Sequence, residues 1–234
     1  MAEQVPVAIL CGGRGTRLGM DSVPKGLVEI GGKPLLWHVM KLYASQGFSD
    51  FIFCLGYGAD QIKEAFSGPQ PWNITFFDTG LDTQTGGRVK RLSELVTSTF
   101  MVTYQDGLAR IDLNDLLEHH RRTERHATIT VARTQIPFGL VKIDDDEVVG
   151  FTEKPMMDDW VNGGFFVFEP EVMDYLEEDS VLENEPFEGL VAAGQMTAYR
   201  QEEFWICMDT YKDTLLLNDL WSKGAPWKVW QDDV

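Results

Sequence analysis

Glycines and cationic side chains crowd into residues 12–25, directly after a short apolar run. Val5 to Leu10 reads as a strand, and CGGRGTRL follows, with Gly12, Gly13 and Gly15 set among Arg14, Thr16 and Arg17, and Lys25 a few residues on. Each glycine raises the entropy cost of ordering the backbone, so three of them after a strand imply that something approaches the chain closely. Backbone N–H groups beside guanidinium and ammonium side chains select an anion. The spacing excludes the commonest phosphate-binding patterns. No Gly-Lys pair falls at P-loop distance. A dinucleotide fingerprint needs glycine at position 18, where this chain has Leu18 and delays the glycine to Gly19. No GxSxG nucleophile elbow occurs.

The remaining cations recur beside glycines, as Arg88, Lys90 and Arg91 in TGGRVKR and as Lys154 in FTEKP, on a chain whose net charge is −17. That acidic balance argues against a nucleic acid partner, whose backbone it would repel. No apolar run approaches the ~18 residues of a membrane helix, and MAEQVPVAIL lacks the basic segment of a cleaved signal. The expectation is a soluble cytoplasmic protein without a membrane partner. Cys11, Cys54 and Cys207 are far apart in apolar runs and read as reduced core residues. His119 and His120 read as a solvated pair on a helix.

These groups must be positioned by alternating elements. Apolar strand-like runs (DFIFCL, NITFFD, TFMVTYQD, ATITVAR) alternate with helical periods (Leu36 to Gly47 after Pro34, ADQIKEAF, TGGRVKRLSELV, and LNDLLEHHRRT capped by Asp112). That pattern predicts an α/β domain with a largely parallel sheet. FGLVKI and VVGFTEK read as a hairpin turning at DDDE, which also denies Asp144 and Asp146 the Asp-x-Asp role of a glycosyltransferase. NGGFFVFEP reads as a strand, EPEVMDYLEED and EPFEGLVAAG as helices, TAYRQEEFWICMD as containing a strand ending at Asp209, and DTLLLNDLWSKG as the closing helix.

GGRGTRL followed by PK before VEIGGKP resembles the signature of the sugar-phosphate nucleotidyltransferases. The likeness continues in order through WNITFFDTG, TGGRVKR, YQDGLARIDL, FTEKP, NGGFFVF, FWICMDT and WSKGAPWKVW, and is strongest to the glucose-1-phosphate cytidylyltransferases. It implies a Rossmann-like three-layer sandwich with a mixed, mostly parallel sheet. It also implies one domain over 1–234, with a nucleotide-binding part to about residue 125 and a sugar-phosphate-binding part from about 126. The implied reaction joins a nucleoside triphosphate to a sugar 1-phosphate and releases pyrophosphate, which asks for positioning and cations rather than a covalent nucleophile. CTP and glucose 1-phosphate are the first candidates; UTP, dTTP, GTP or another sugar phosphate, and a catalytically silent sugar-nucleotide-binding protein, are the alternatives.

By this resemblance Arg17, Lys25, Asp106 and Asp209 are catalytic. Leu10, Gly12, Gly13, Gly15, Thr16, Arg17, Thr85, Gly86, Arg88 and Gln105 bind the nucleotide, with Arg17 on the leaving pyrophosphate, Lys25 on the α-phosphate, and Gly86, Gly87 and Arg88 at the base and ribose. Gly139, Glu153, Lys154, Asn162 and Gly164 bind the sugar phosphate. Asp106 and Asp209 are the Mg2+ ligands, each ending an apolar run where ligands of an open α/β sheet collect; either alone would pass as a loop-capping aspartate. A homo-oligomer is implied as well. The chain departs from the family pattern in a short SGPQ connection, in SVPKGL, which lacks an additional lysine, in compact IPFGL, in Cys11, and in Gln105, where glycine is expected before the metal aspartate.

Overall fold

The computed structural model of the chain describes residues 4–14 and 23–231. Strand β1 (Val7–Leu10) is followed by a 3-10 turn at Lys25–Leu27 and a miniature hairpin, β2 (Glu29–Ile30) and β3 (Lys33–Pro34). Gly31 and Gly32 close that hairpin at φ 59° and 75°, left-handed values that side chains with a Cβ resist. Helix α1 (Leu35–Ala44) begins one residue after Pro34, which sits at the N-cap rather than inside the first turn. Then come β4 (Asp50–Leu55), α2 (Ala59–Phe66), β5 (Asn73–Asp78), α3 (Thr85–Arg91), β6 (Phe100–Tyr104), β7 (Gly107–Ala109) and α4 (Leu113–Thr123). Asp112 caps α4 as expected, accepting from the N–H groups of Asn114 and Asp115 at 3.0 and 2.9 Å.

The second half contributes β8 (Ala127–Ala132), β9 (Leu140–Asp144), β10 (Glu147–Thr152), β11 (Val161–Phe168), α5 (Glu185–Ala192), β12 (Met196–Gln201), β13 (Trp205–Cys207) and α6 (Tyr211–Ser222). One expectation fails locally and a second is refined. EPEVMDYLEED forms only a 3-10 turn over Pro170–Tyr175, because Glu169 and Leu176 on either side are extended. TAYRQEEFWICMD is two strands in different sheets, β12 and β13.

The main sheet has seven strands in the order β12-β8-β11-β6-β1-β4-β5. All run parallel except β11, which is antiparallel to both β6 and β8. The four strands before residue 125 and the three after it therefore meet at the β6–β11 pair. Alternation within strands builds two cores. Val7 and Ile9, Phe51 and Phe53, and Phe165 and Val167 face α1, α2, α4 and α6. Ala8 and Leu10, Ile52 and Cys54, and Phe166 and Phe168 face α3 and α5. This is the three-layer sandwich. Each fully buried aromatic of this kind contributes on the order of 2–3 kcal/mol.

On the first side the C-terminal segment packs Trp221 and Trp227 around His38 of α1, at ring-centroid distances of 4.7 and 6.0 Å. His120 is not solvated. It lies on the inward face of α4, fully buried, with Nδ1 2.8 Å from Thr128 Oγ1 and Nε2 3.1 Å from Glu169 Oε1.

Candidate active site

The parallel strands end along one edge of the sheet, and there Lys25, Asp106 and Asp209 collect. Asp106 follows β6, where the chain peels away as β7 and pairs antiparallel with β13, matching Gly107 to Cys207. The Met208 N–H donates to the Asp106 carbonyl at 3.0 Å, which brings Asp209 beside Asp106. A capping box on α6 then fixes Asp209 from behind: Asp213 Oδ2 accepts from the N–H of Thr210 at 2.7 Å and from that of Asp209 itself at 3.0 Å.

Lys25 arrives from the 3-10 turn after Pro24. Its Nζ lies 2.6 Å from Asp106 Oδ2 and 2.7 Å from Asp209 Oδ1, with the lysine side chain only 8% exposed. Burial by itself would pull this ammonium down, but the Asp106 charge and the hydrogen bonds to both carboxylates outweigh it and hold Lys25 above its ordinary value. A lysine between two carboxylates is thus locked in its charged form. Cys207 was expected in the core, yet it is only part-buried and ends β13 two residues before Asp209. Its Sγ and the carboxylate oxygens of Asp106 and Asp209 lie within 4.8 Å of one another. Burial first, and the two carboxylates second, push the Cys207 thiol well up.

A cavity of about 350 Å³ opens over this cluster. Leu10, Gly12, Gly13, Lys25, Thr85, Arg88, Gln105, Asp106 and Asp209 line it, all of them singled out from the sequence, together with Thr83, Gln84 and Tyr104, which were not. Gly15, Thr16 and Arg17 lie outside the described residues. Gln105 is 6% exposed, and among the described residues its Oε1 has no hydrogen-bond partner.

Arg88, which lines the cavity, is also held by the protein itself. Its Nη1 donates to the Leu55 carbonyl at 2.9 Å, to Thr79 Oγ1 at 2.6 Å and to the Gly80 carbonyl at 2.9 Å, and its Nη2 donates to the Gly12 carbonyl at 3.1 Å. The guanidinium therefore ties the glycine loop to the ends of β4 and β5. A Cβ at Gly12 would stand 2.1 Å from it, so the first loop needs glycine here for Arg88. Lys90 and Arg91 are spent likewise, donating to the carbonyls of Met173 at 2.8 Å and Thr79 at 2.6 Å. Gly86 and Gly87 turn their bare faces to the Ser180 and Glu178 carbonyls, 2.7 and 2.1 Å from where a Cβ would be, and not to the cavity.

The predicted sugar-phosphate residues divide. Asn162 and Gly164, at the start of β11, border Tyr104: Asn162 Nδ2 donates to the Tyr104 hydroxyl at 3.3 Å. Gly164, at φ 79°, leaves room for the Tyr104 ring, which a Cβ would approach to 2.6 Å. The Tyr104 hydroxyl in turn donates to Glu183, which also accepts from Thr85 Oγ1 at 2.8 Å, closing the far wall of the cavity. Gly139, Glu153 and Lys154 do not line the cavity. They sit at the base of the β9–β10 hairpin, where a Cβ on Gly139 would meet the Phe151 ring at 2.5 Å and Lys154 Nζ is 3.7 Å from Glu153 Oε1.

The cluster fits a divalent cation by its chemistry. Two carboxylates from distant segments already converge on one positive atom, and hard oxygen donors suit Mg2+. The signal for the missed members was faint: Cys207 is betrayed by the i, i+2 relation to Asp209, and Thr83 and Gln84 only by adjacency to Thr85.

The chain matches the Nucleotidyl transferase family over residues 7–232. It is 40% identical over 250 residues to a probable glucose-1-phosphate cytidylyltransferase of Bacillus subtilis, covering 95% of this chain and 98% of that one. It is equally 40% identical to a glucose-1-phosphate cytidylyltransferase of Salmonella typhi, over 95% of this chain and 98% of the other. A crystal structure of HddC from Yersinia pseudotuberculosis shares the fold at a TM-score of 0.72 and 23% identity, covering 93% of this chain and all of that one. With the motifs, the strand-edge cluster and these likenesses together, the chain belongs to the nucleotidyltransferase family.

Proposed function

We propose that this nucleotidyltransferase transfers a cytidylyl group from CTP to glucose 1-phosphate, giving CDP-glucose and pyrophosphate, with Mg2+ as its metal. The observation that carries the reading is the meeting of Lys25, Asp106 and Asp209 at the floor of a cavity walled by the glycine loop; the substrates are suggested by what the 40% identical relatives are named for.

In this reading the sugar phosphate oxygen attacks the α-phosphorus in line as the bond to the β-phosphate breaks. Lys25 holds an α-phosphate oxygen. The first loop, with Gly12, Gly13, Gly15, Thr16 and Arg17, receives the departing pyrophosphate. Asp106 and Asp209 hold Mg2+, which when bound neutralises charge on phosphate oxygens. Leu10, Thr83, Gln84 and Thr85 face the nucleoside, and Arg88 acts on it indirectly, by shaping the loop. Gln105 offers an unsatisfied amide oxygen to a hydroxyl of ribose or sugar. Asn162 and Gly164 border the sugar through Tyr104, and Glu153 and Lys154 approach it from the hairpin. Residues to about 125 serve the nucleotide and those from about 126 the sugar phosphate.

A homo-oligomer suits the hairpin. Val141, Ile143, Val148 and Phe151 are cross-strand pairs on one face of β9–β10 and are 48, 66, 66 and 65% exposed. Among the described residues no helix is long and apolar enough to cross a membrane. Three free cysteines and a nucleoside triphosphate substrate suit the cytoplasm.

Pyrophosphate release with each common nucleoside triphosphate, against a panel of sugar 1-phosphates with and without Mg2+, tests the assignment. CTP with glucose 1-phosphate should turn over fastest and only with the metal. Faster turnover with another pair would reassign the substrates; no turnover in any combination would leave a binding protein.

A further inference from the structure

The ammonium of Lys25 stands where a cation shared by Asp106 and Asp209 would stand. Among the described residues its Nζ donates to these two carboxylates, at 2.6 Å to Asp106 Oδ2 and 2.7 Å to Asp209 Oδ1. A divalent ion drawing on the same two oxygens would lie within a few ångströms of this buried positive charge, an arrangement that like-charge repulsion disfavours. Expelling Lys25 without a new partner is equally unfavourable, because it leaves a buried ammonium unpaired. A phosphate oxygen at the mouth of the cavity supplies such a partner.

We propose that Lys25 is a built-in placeholder, occupying the cation site until a nucleotide phosphate draws it off the two aspartates, so that nucleotide and divalent ion bind cooperatively. The inference rests on the reading of Asp106 and Asp209 as metal ligands and adds to it an ordering: the nucleotide-free protein resists the metal. By thermodynamic reciprocity the metal strengthens nucleotide binding by the same factor. Lys25 thereby prevents a bare metal from settling in the site, in addition to meeting the α-phosphate.

The probe is Mn2+ alone, its free concentration read by electron paramagnetic resonance, titrated into wild type, Lys25→Gln and Asp106→Asn. Lys25→Gln should bind Mn2+ at least about fivefold more tightly than wild type, the lower end of ordinary site-to-site coupling, and Asp106→Asn should bind it more weakly than either. Equal affinities in wild type and Lys25→Gln, with Asp106→Asn weaker, would overturn the placeholder while leaving the metal ligands standing. Mn2+ binding indifferent to Asp106→Asn would overturn the metal reading and the placeholder with it. Should Lys25→Gln fail to fold by circular dichroism, the wild type alone decides. Adding the nucleoside monophosphate of the base that the turnover assay selects should tighten Mn2+ by a comparable factor, and no tightening overturns the proposal.

Discussion

The strand-edge cluster and the β9–β10 hairpin are built to different standards. Around the cluster Lys25, Arg88, Lys90 and Arg91 are already engaged: Lys25 by Asp106 and Asp209, Arg88 by five acceptors on Gly12, Leu55, Thr79, Gly80 and Leu81, Lys90 and Arg91 by backbone carbonyls. At the hairpin, Glu153 and Lys154 are 61 and 45% exposed at the root of a ribbon whose apolar face is open. A lone two-stranded ribbon is marginally stable. The contrast teaches that the cluster is preorganised by the chain's own contacts, whereas the hairpin leaves its apolar face and its flanking charges exposed.

The comparison breaks first at the carboxylates. Asp106→Asn and Asp209→Asn should each lower turnover about a thousandfold, several kcal/mol of charge stabilisation, without unfolding the protein; rates near wild type in pyrophosphate release would remove both from the chemistry. Next, Arg88→Met leaves buried carbonyls without a donor and should destabilise folding by about 3–4 kcal/mol, read by urea unfolding. A change in the nucleotide KM with unaltered stability would instead return Arg88 to the base-contact role.

A third effect, about as large, depends on pH and sits under the same rigid half. Burial among tryptophans pulls His38 down to about 4, although its hydrogen bond to the Ile30 carbonyl raises it somewhat. Its neutral form is therefore favoured in the fold, while the unfolded chain titrates near 6.5. The contribution is complete above pH ~6.5 and is lost as pH falls toward about 4, on the order of 3 kcal/mol in all. Unfolding free energies of wild type should fall across that window, and those of His38→Gln should not fall by this amount. The smallest effect belongs to the open side: Glu153→Gln should raise the sugar-phosphate KM about tenfold and leave the nucleotide KM unchanged. A shift in both would mean the halves are not separable.

Much of the fold was legible because its signals are local. DFIFCL, ADQIKEAF and NITFFD form the strand, helix and strand that their apolar spacing predicts, with the same boundaries. Strand β7 was hidden because GLA carries no periodicity, and it owes its existence to pairing with β13 some hundred residues away. In the site, the convergence of Asp106 and Asp209 could be anticipated from strand ends. The lysine between them could not, since nothing in SVPKGL shows what stands opposite. The structural part that Arg88 plays was hidden for a related reason: its acceptors are mostly backbone carbonyls, which no side-chain letter displays. Cys207 was hidden by an apolar context that made it look like core.

The account turns on where a triphosphate is held. A crystal structure with a non-hydrolysable CTP analogue tests that most directly: the account predicts the α-phosphate within hydrogen-bonding distance of Lys25 Nζ, with the ammonium withdrawn from at least one aspartate. A nucleotide bound with its phosphates away from Lys25, and Lys25 still between Asp106 and Asp209, would contradict it.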